Sequence, residues 1–223
     1  MTAIIPYWDL PAALAELERV VGKGARALAF SENPTAFGLP SVHTRHWDPL
    51  WEVVSDADIP VCMHIGSSAR VVRTTSDAPD ATTLTVLATQ TMWACADWLF
   101  AGILERFPRL QIVFSEGGAG WAPFIVERAE ESFERYGSES GATRSPKELF
   151  AEHIYVCMIN EPFAMRSLGD LLPVDNVLWE ADFPHESGSF PHSRKLLEEC
   201  FRDLPDHDAI KVGETNARRL LHL

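Results

Sequence analysis

A chain of 223 residues, 46% of them hydrophobic, can bury one sizeable core, so residues 1–223 read as a single domain. A formal net charge of −13 argues against nucleic acid and anionic membrane surfaces as partners and leaves a small molecule as the expected ligand. Cys62, Cys95, Cys157 and Cys200 form no C-x-x-C pair, which argues against a zinc ribbon or a disulfide scaffold. The opening Met1-Thr2-Ala3-Ile4-Ile5-Pro6 has no basic n-region and no long apolar run, so it is not read as a signal peptide. The expected location is the cytoplasm.

Strands and helices alternate along the chain. Ala3-Ile4-Ile5 reads as the tail of a strand. Asp9 caps a helix with Pro11 in its first turn and Gly22 or Gly24 at its end, its apolar residues following the helical period. Arg26 to Phe30 is a strand, and Ser31 to His46 a loop rich in Asn, Pro, Gly and Ser. Asp48-Pro49 starts a second helix ahead of a strand that ends at His64. Gly66 to Thr83 is polar and long for a loop in an α/β unit, a length that usually serves a function. Leu84 to Phe107 is expected to be one buried helix; its Thr, Gln, Asp and Glu residues exclude a membrane span. A strand reaching Glu116, a helix from about Trp121 to Arg135, a helix opened by Pro146 and a strand at Ile154–Met158 follow. A helix near Pro162–Leu171, a strand reaching Asp182 and helices near His192–Phe201 and Asp208–Leu221 complete the series.

Three of the strands stop at a residue that can bind a metal or move a proton. Val61-Cys62-Met63 runs into His64, Leu110 to Ser115 into Glu116, and Asn176 to Ala181 into Asp182; each is followed shortly by Gly or Pro. Helices between such strands make the sheet parallel and gather the strand C-termini on one rim, where open and barrel α/β enzymes keep their chemistry. A carboxylate between Trp179 and Phe183 is costly to bury without a cation or hydrogen bonds. Glu116 has three readings: a ligand, a general base, or an acceptor that orients His64. His185 is placed to hydrogen-bond within the Phe183-Pro184 turn, with support of a metal ligand as the alternative. Arg70 and Arg73 could clamp a substrate carboxylate, with ordinary solvated loop arginines as the alternative. Trp47 and Trp121 lie near enough to the rim to line a pocket.

Taken with Trp47-Asp48-Pro49-Leu50-Trp51, Ser115-Glu116-Gly117-Gly118, Glu180-Ala181-Asp182-Phe183-Pro184-His185 and Asn216-Ala217-Arg218-Arg219-Leu220, the order and spacing of these motifs resemble the amidohydrolase-related family that includes aminocarboxymuconate-semialdehyde decarboxylase. The resemblance runs from about Ile5 onward. It implies a (β/α)₈ TIM barrel whose metal is held by an H-x-H pair on the first strand, a His on the fifth and an Asp on the eighth. His64 matches the fifth-strand histidine and Asp182 the eighth-strand aspartate, and Glu116 stands where the sixth strand often offers a His. The six strands would then be roughly the third or fourth to the eighth, a partial barrel without the H-x-H pair; His43 and His46 have the wrong place and spacing for it. A whole barrel takes about 250 residues or more, so the expectation is a truncated member with an incomplete metal site. The implied activity is that of a metal-dependent hydrolase or decarboxylase (a carboxy-lyase). A divalent ion, zinc first with manganese or magnesium as alternatives, would activate a bound water against a small carboxylate-bearing or cyclic substrate. The competing expectation is a catalytically inactive fragment or binding module. Its open edges and apolar faces would invite self-association, a homodimer being the simple case.

Overall fold

The strands form where β-branched and aromatic residues run together between turn residues. The computed structural model describes residues 1–69 and 73–223, with the side chains of 138–140 excepted. Thr2–Ala3 (β1), Ala27–Phe30 (β2), Val61–His64 (β3), Ile112–Ser115 (β4), Ile154–Met158 (β5) and Val177–Trp179 (β6) make one sheet in the order β1-β2-β3-β4-β5-β6. Every neighbouring pair is parallel, with Met63 opposite Phe114 and Met158 opposite Trp179. All six expected strands are present and their C-termini share one rim, but β1 ends at Ala3, not Ile5, and β6 ends at Trp179, so that Asp182 lies in the loop beyond it. β1 and β6 are the edges of the sheet.

Helices fill the crossovers: Leu10–Val21 (α1), Asp48–Asp56 (α2), Asp80–Thr85 (α3), Thr89–Phe100 (α4), Ile103–Arg106 (α5), Ala122–Ser140 (α6), Pro146–His153 (α7) and Pro162–Arg166 (α8), with Ser193–Cys200 (α9), Asp206–Ile210 (α10) and Asn216–Leu221 (α11) after β6. The Asp9 carboxylate accepts the Ala12 N–H at 3.1 Å, Pro11 occupies the first turn of α1, and Gly22 follows its end, as the sequence suggests. The single helix expected over Leu84–Phe107 is instead three pieces. Gly102 takes φ +64°, a left-handed conformation that stops α4 and lets α5 start in a new direction. The helix expected to reach Leu171 ends at Arg166, whereas the one opened near Trp121 runs on to Ser140.

Side chains alternate across the sheet. Leu28, Phe30, Val61, Met63, Ile112, Phe114, Ile154, Val156 and Val177 join Leu17, Trp47, Trp51, Trp98 and Leu99 of the helices in the main core. Phe30 meets Trp47 and Trp51 edge-on at 5.1 Å each, and Trp51 meets Trp98 at 5.2 Å. On the other face Val113, Tyr155, Cys157 and Leu178 form a smaller cluster covered by Leu220 and Ala217 of α11. Arg26 donates to the carbonyls of Leu221 and His222, tying the end of α11 back to β2. A cavity of about 250 Å³ lies on this second face, with Cys62, Ser115, Cys157 and Glu180 in its wall. None of the described helices is long and apolar enough to cross a membrane.

Candidate active site

His64 is the last residue of β3, and Gly66, at φ +77°, turns the chain immediately after it. The His64 ring Nδ1 lies 2.7 Å from the Ile65 carbonyl. A carbonyl only accepts, so Nδ1 carries the proton and Nε2 is directed at the site. There it lies 2.9 Å from Glu116 Oε1. Partial burial lowers the His64 pKa, but the Ile65 carbonyl and the Glu116 charge outweigh it and hold the imidazolium above the ordinary histidine range.

Glu116 and Asp182 share an unusual backbone. Glu116 has φ +57° and Asp182 φ +51°, the left-handed region that costs an L-residue about 1–2 kcal/mol. Aspartate tolerates it better than glutamate does, and such strain gathers at working sites. In this conformation the Glu116 N–H donates to Glu180 Oε2 at 2.7 Å. The Glu116 carboxyl meets that of Asp182 in a side-chain hydrogen bond. Burial, then the Asp182 contact, raise the Glu116 pKa against the opposing pull of His64. Two carboxyl groups in contact cannot both keep a full charge without a shared proton or a cation.

The Asp182 side chain is 10% exposed and is held from behind: His185 Nδ1 lies 3.2 Å and Ser187 Oγ 3.4 Å from Oδ2. The loop returns so tightly that a Cβ on Gly188 would sit 2.3 Å from the Asp182 carbonyl oxygen, so only glycine fits there. Trp121 donates its indole N–H to the Gly117 carbonyl at 2.8 Å, placing it beside the Glu116 turn. The structure therefore brings His64, Glu116, Asp182, His185 and Trp121 to one stretch of the rim.

Other expected residues lie elsewhere. Trp47 is fully buried in the main core, with its indole N–H given to the Pro40 carbonyl at 2.9 Å, so it supports the fold and does not line a pocket. Arg73 is engaged by Asp80 at 2.9 Å and by the Ala78 carbonyl, the ordinary loop alternative. Arg70 lies outside the described residues. His43 pairs with Asp97 at 2.9 Å, and the His46 ring rests edge-on against Trp47.

Three acidic residues at the rim escaped the reading of the sequence. Glu32 follows β2, Glu161 follows β5, and Glu180 follows β6. Glu161 accepts the Ala119 and Gly120 N–H groups and so braces the turn after Glu116. The signal was present, since Glu32 and Glu161 each follow an apolar strand and precede a proline by one or two residues.

His64 Nε2 and the oxygens of Glu116 and Asp182 are suitable in kind for a divalent ion such as zinc or manganese. They meet pairwise: no group of three or more His, Cys, Asp or Glu side chains among the described residues is arranged to hold a metal by itself. They therefore fit as part of a shell.

The family model named Amidohydrolase matches residues 2–223. The chain belongs to the amidohydrolase family. It is 24% identical to the gamma-resorcylate decarboxylase of Rhizobium radiobacter over 245 residues, covering 99% of this chain and 69% of that protein. An amidohydrolase from Mycobacterium avium subsp. paratuberculosis superposes with a TM-score of 0.85 at 20% identity, over 100% of this chain and 57% of the other. A dihydroxybenzoic acid decarboxylase from Polaromonas sp., solved with bound manganese and the inhibitor 2-nitroresorcinol, superposes with a TM-score of 0.74 at 20% identity, over 100% and 68%. Among the curated relatives it matches, this chain spans 58% of one, 62% of another and 69% of a third.

Proposed function

We propose that this chain forms the greater part of the barrel of a metal-dependent decarboxylase that acts on a small hydroxylated aromatic or otherwise unsaturated carboxylic acid. The observation that carries the reading is the contact of two strained rim carboxyls, Glu116 and Asp182, beside a histidine whose Nε2 faces them. The decarboxylase relatives and the manganese-bound neighbour support the reaction class and a metal. His64 and Asp182 would hold the ion, either zinc or manganese. Two further β/α units, pairing with the β1 and β6 edges, would close the barrel and supply the remaining ligands, a reading supported by the share of the relatives that this chain spans.

When bound, the ion supplies Lewis acidity toward substrate oxygens. The chain's own groups handle the proton. Loss of carbon dioxide leaves a carbanion-like carbon that must be protonated. Glu116 holds its proton to higher pH than an ordinary glutamate does, and stands ready to deliver it there. Asp182 keeps that proton in place through the shared hydrogen bond. The Ile65 carbonyl fixes the His64 tautomer and so keeps Nε2 turned into the site.

The test is carbon dioxide release from dihydroxybenzoates and carboxyvanillate by the protein purified with the β/α units that complete its barrel, with Mn²⁺ or Zn²⁺ added singly and metal content measured in parallel. Metal-dependent release that disappears in Asp182→Asn is expected. A completed barrel that retains no metal, or turnover that a chelator leaves intact, would overturn the proposal.

A further inference from the structure

Two buried polar side chains outside the His64, Glu116 and Asp182 trio join the loops that carry it. Glu32, 3% exposed, accepts the Gly66 N–H at 2.9 Å on Oε2 and the Thr91 hydroxyl at 2.6 Å on Oε1. Its own N–H donates to Ser67 Oγ at 2.9 Å, and the Ser31 hydroxyl donates to the Ser67 carbonyl at 3.1 Å. The segment just after β2 thus holds the turn immediately after His64 by three hydrogen bonds, and Glu32 reaches Thr91 by a fourth. Thr91, fully buried in the first turn of α4, faces the other way as well: a Cβ on Gly117 would sit 2.7 Å from its methyl carbon. Gly117 directly follows Glu116.

A buried carboxylate is a poor way to gain stability, because its desolvation cancels much of what its partners return. This one joins parts of the chain 34 and 59 residues apart, and both partners adjoin the site. We infer that Glu32 and Thr91 form a clasp that sets the position of His64 relative to Glu116, making both of them positioning residues for the site. The inference rests on the proposed reading of that site.

The clasp distinguishes between substitutions. In Glu32→Gln the amide oxygen can still accept from Gly66, and the amide nitrogen can donate to the Thr91 oxygen, so both links survive. Glu32→Ala breaks both. Thr91→Val keeps the methyl group against Gly117 and loses the hydroxyl, whereas Thr91→Ser does the reverse.

The experiment uses the chain together with the β/α units that complete its barrel and takes three measurements on each variant. These are ring signals of ¹⁵N-labelled histidine at one fixed pH without metal, affinity for Mn²⁺ alone, and kcat. In Glu32→Ala the His64 signals should move or broaden, and Mn²⁺ affinity and kcat should each fall about 10–100-fold. Glu32→Gln should restore most of all three. Thr91→Val should follow Glu32→Ala more mildly, while Thr91→Ser should leave the His64 signals in place and lower kcat. Should Glu32→Ala fail to fold, Thr91→Val against Glu32→Gln makes the same comparison. Unchanged His64 signals and Mn²⁺ affinity in the clasp-breaking variants would overturn the inference and leave Glu32 as internal support. If the wild type neither binds Mn²⁺ nor turns over, the proposed function fails, but the His64 signals still decide whether the clasp exists.

Discussion

On the helix-covered face of the sheet, Phe30, Met63 and Phe114 share one apolar core with Trp51, Trp98 and Leu99. On the opposite face Cys62, Cys157, Val113 and Leu178 line a cavity whose cover is Leu220 and Ala217 from one short helix. The rim adjoining that cavity holds Glu116 and Asp182 in left-handed conformations, with carboxyls in contact. Alternate residues of the same strands thus serve opposite ends: one set excludes water and fixes the fold, and the other tolerates strain, charge and empty space. Stability and chemistry are divided between the two sides of a layer one residue thick.

If that division is real, substitutions on the two sides should fail in different assays. Asp182→Asn should abolish nearly all turnover and most metal uptake, and Glu116→Gln should lower the rate about 10²–10⁴-fold while largely keeping the metal. Neither should melt below the wild type; elemental analysis, kinetics and thermal melts on the same samples check this. Trp51→Ala should do the converse. It empties a fully buried aromatic site and should cost about 3–5 kcal/mol in chemical denaturation, with metal content per folded molecule unchanged.

A smaller effect separates the faces by pH. His64, Glu116 and Glu32 each bind a proton more tightly in the folded chain than unfolded. Their contribution is therefore fully present below the unfolded pKa and is lost as pH rises through the folded one. Unfolded values are about 4.3 for glutamate and 6.5 for histidine. Without metal, Glu116→Gln, which mimics the protonated acid, should gain in melting temperature over the wild type as pH rises above about 4.3. A gap that narrows over that range would contradict the assignment. The smallest change expected is from Glu116→Gly. Relief of the strained φ should raise stability by about 1 kcal/mol, or about 2–4 °C, as activity disappears. A less stable Glu116→Gly variant would show that the residue is not strained.

Strand positions and the order of the sheet were legible because short apolar runs closed by Gly or Pro have few alternatives in a chain of regular strand–helix alternation. His64, Glu116 and Asp182 stood out for the same reason, each closing such a run within two residues of a Gly or Pro. Direction was much harder to read. Trp47 begins a helix near the rim, but whether its ring turns to the pocket or to Phe30 depends on packing across 17 residues of chain. The break at Gly102 was masked by an apolar composition that suits one helix as well as three pieces. Glu32 and Glu161 lay in segments whose Asn and Pro content reads as plain loop, and their partners, Gly66, Thr91, Ala119 and Gly120, are known only once the sheet is assembled.

The cysteines give this molecule built-in reporters of its own opening. Burial pushes the Cys62 thiol up to about 12 and raises Cys157 well above its ordinary value, with Glu180 adding to both shifts. Neither offers a thiolate to an alkylating reagent while α11 stays down, since the thiolate is the reacting form. Cys95 is just as well hidden, but on the helix-covered side. Labelling that reaches Cys62 and Cys157 long before Cys95, followed site by site in a mass spectrometer, would time the lifting of a single helix separately from the unfolding of the whole chain.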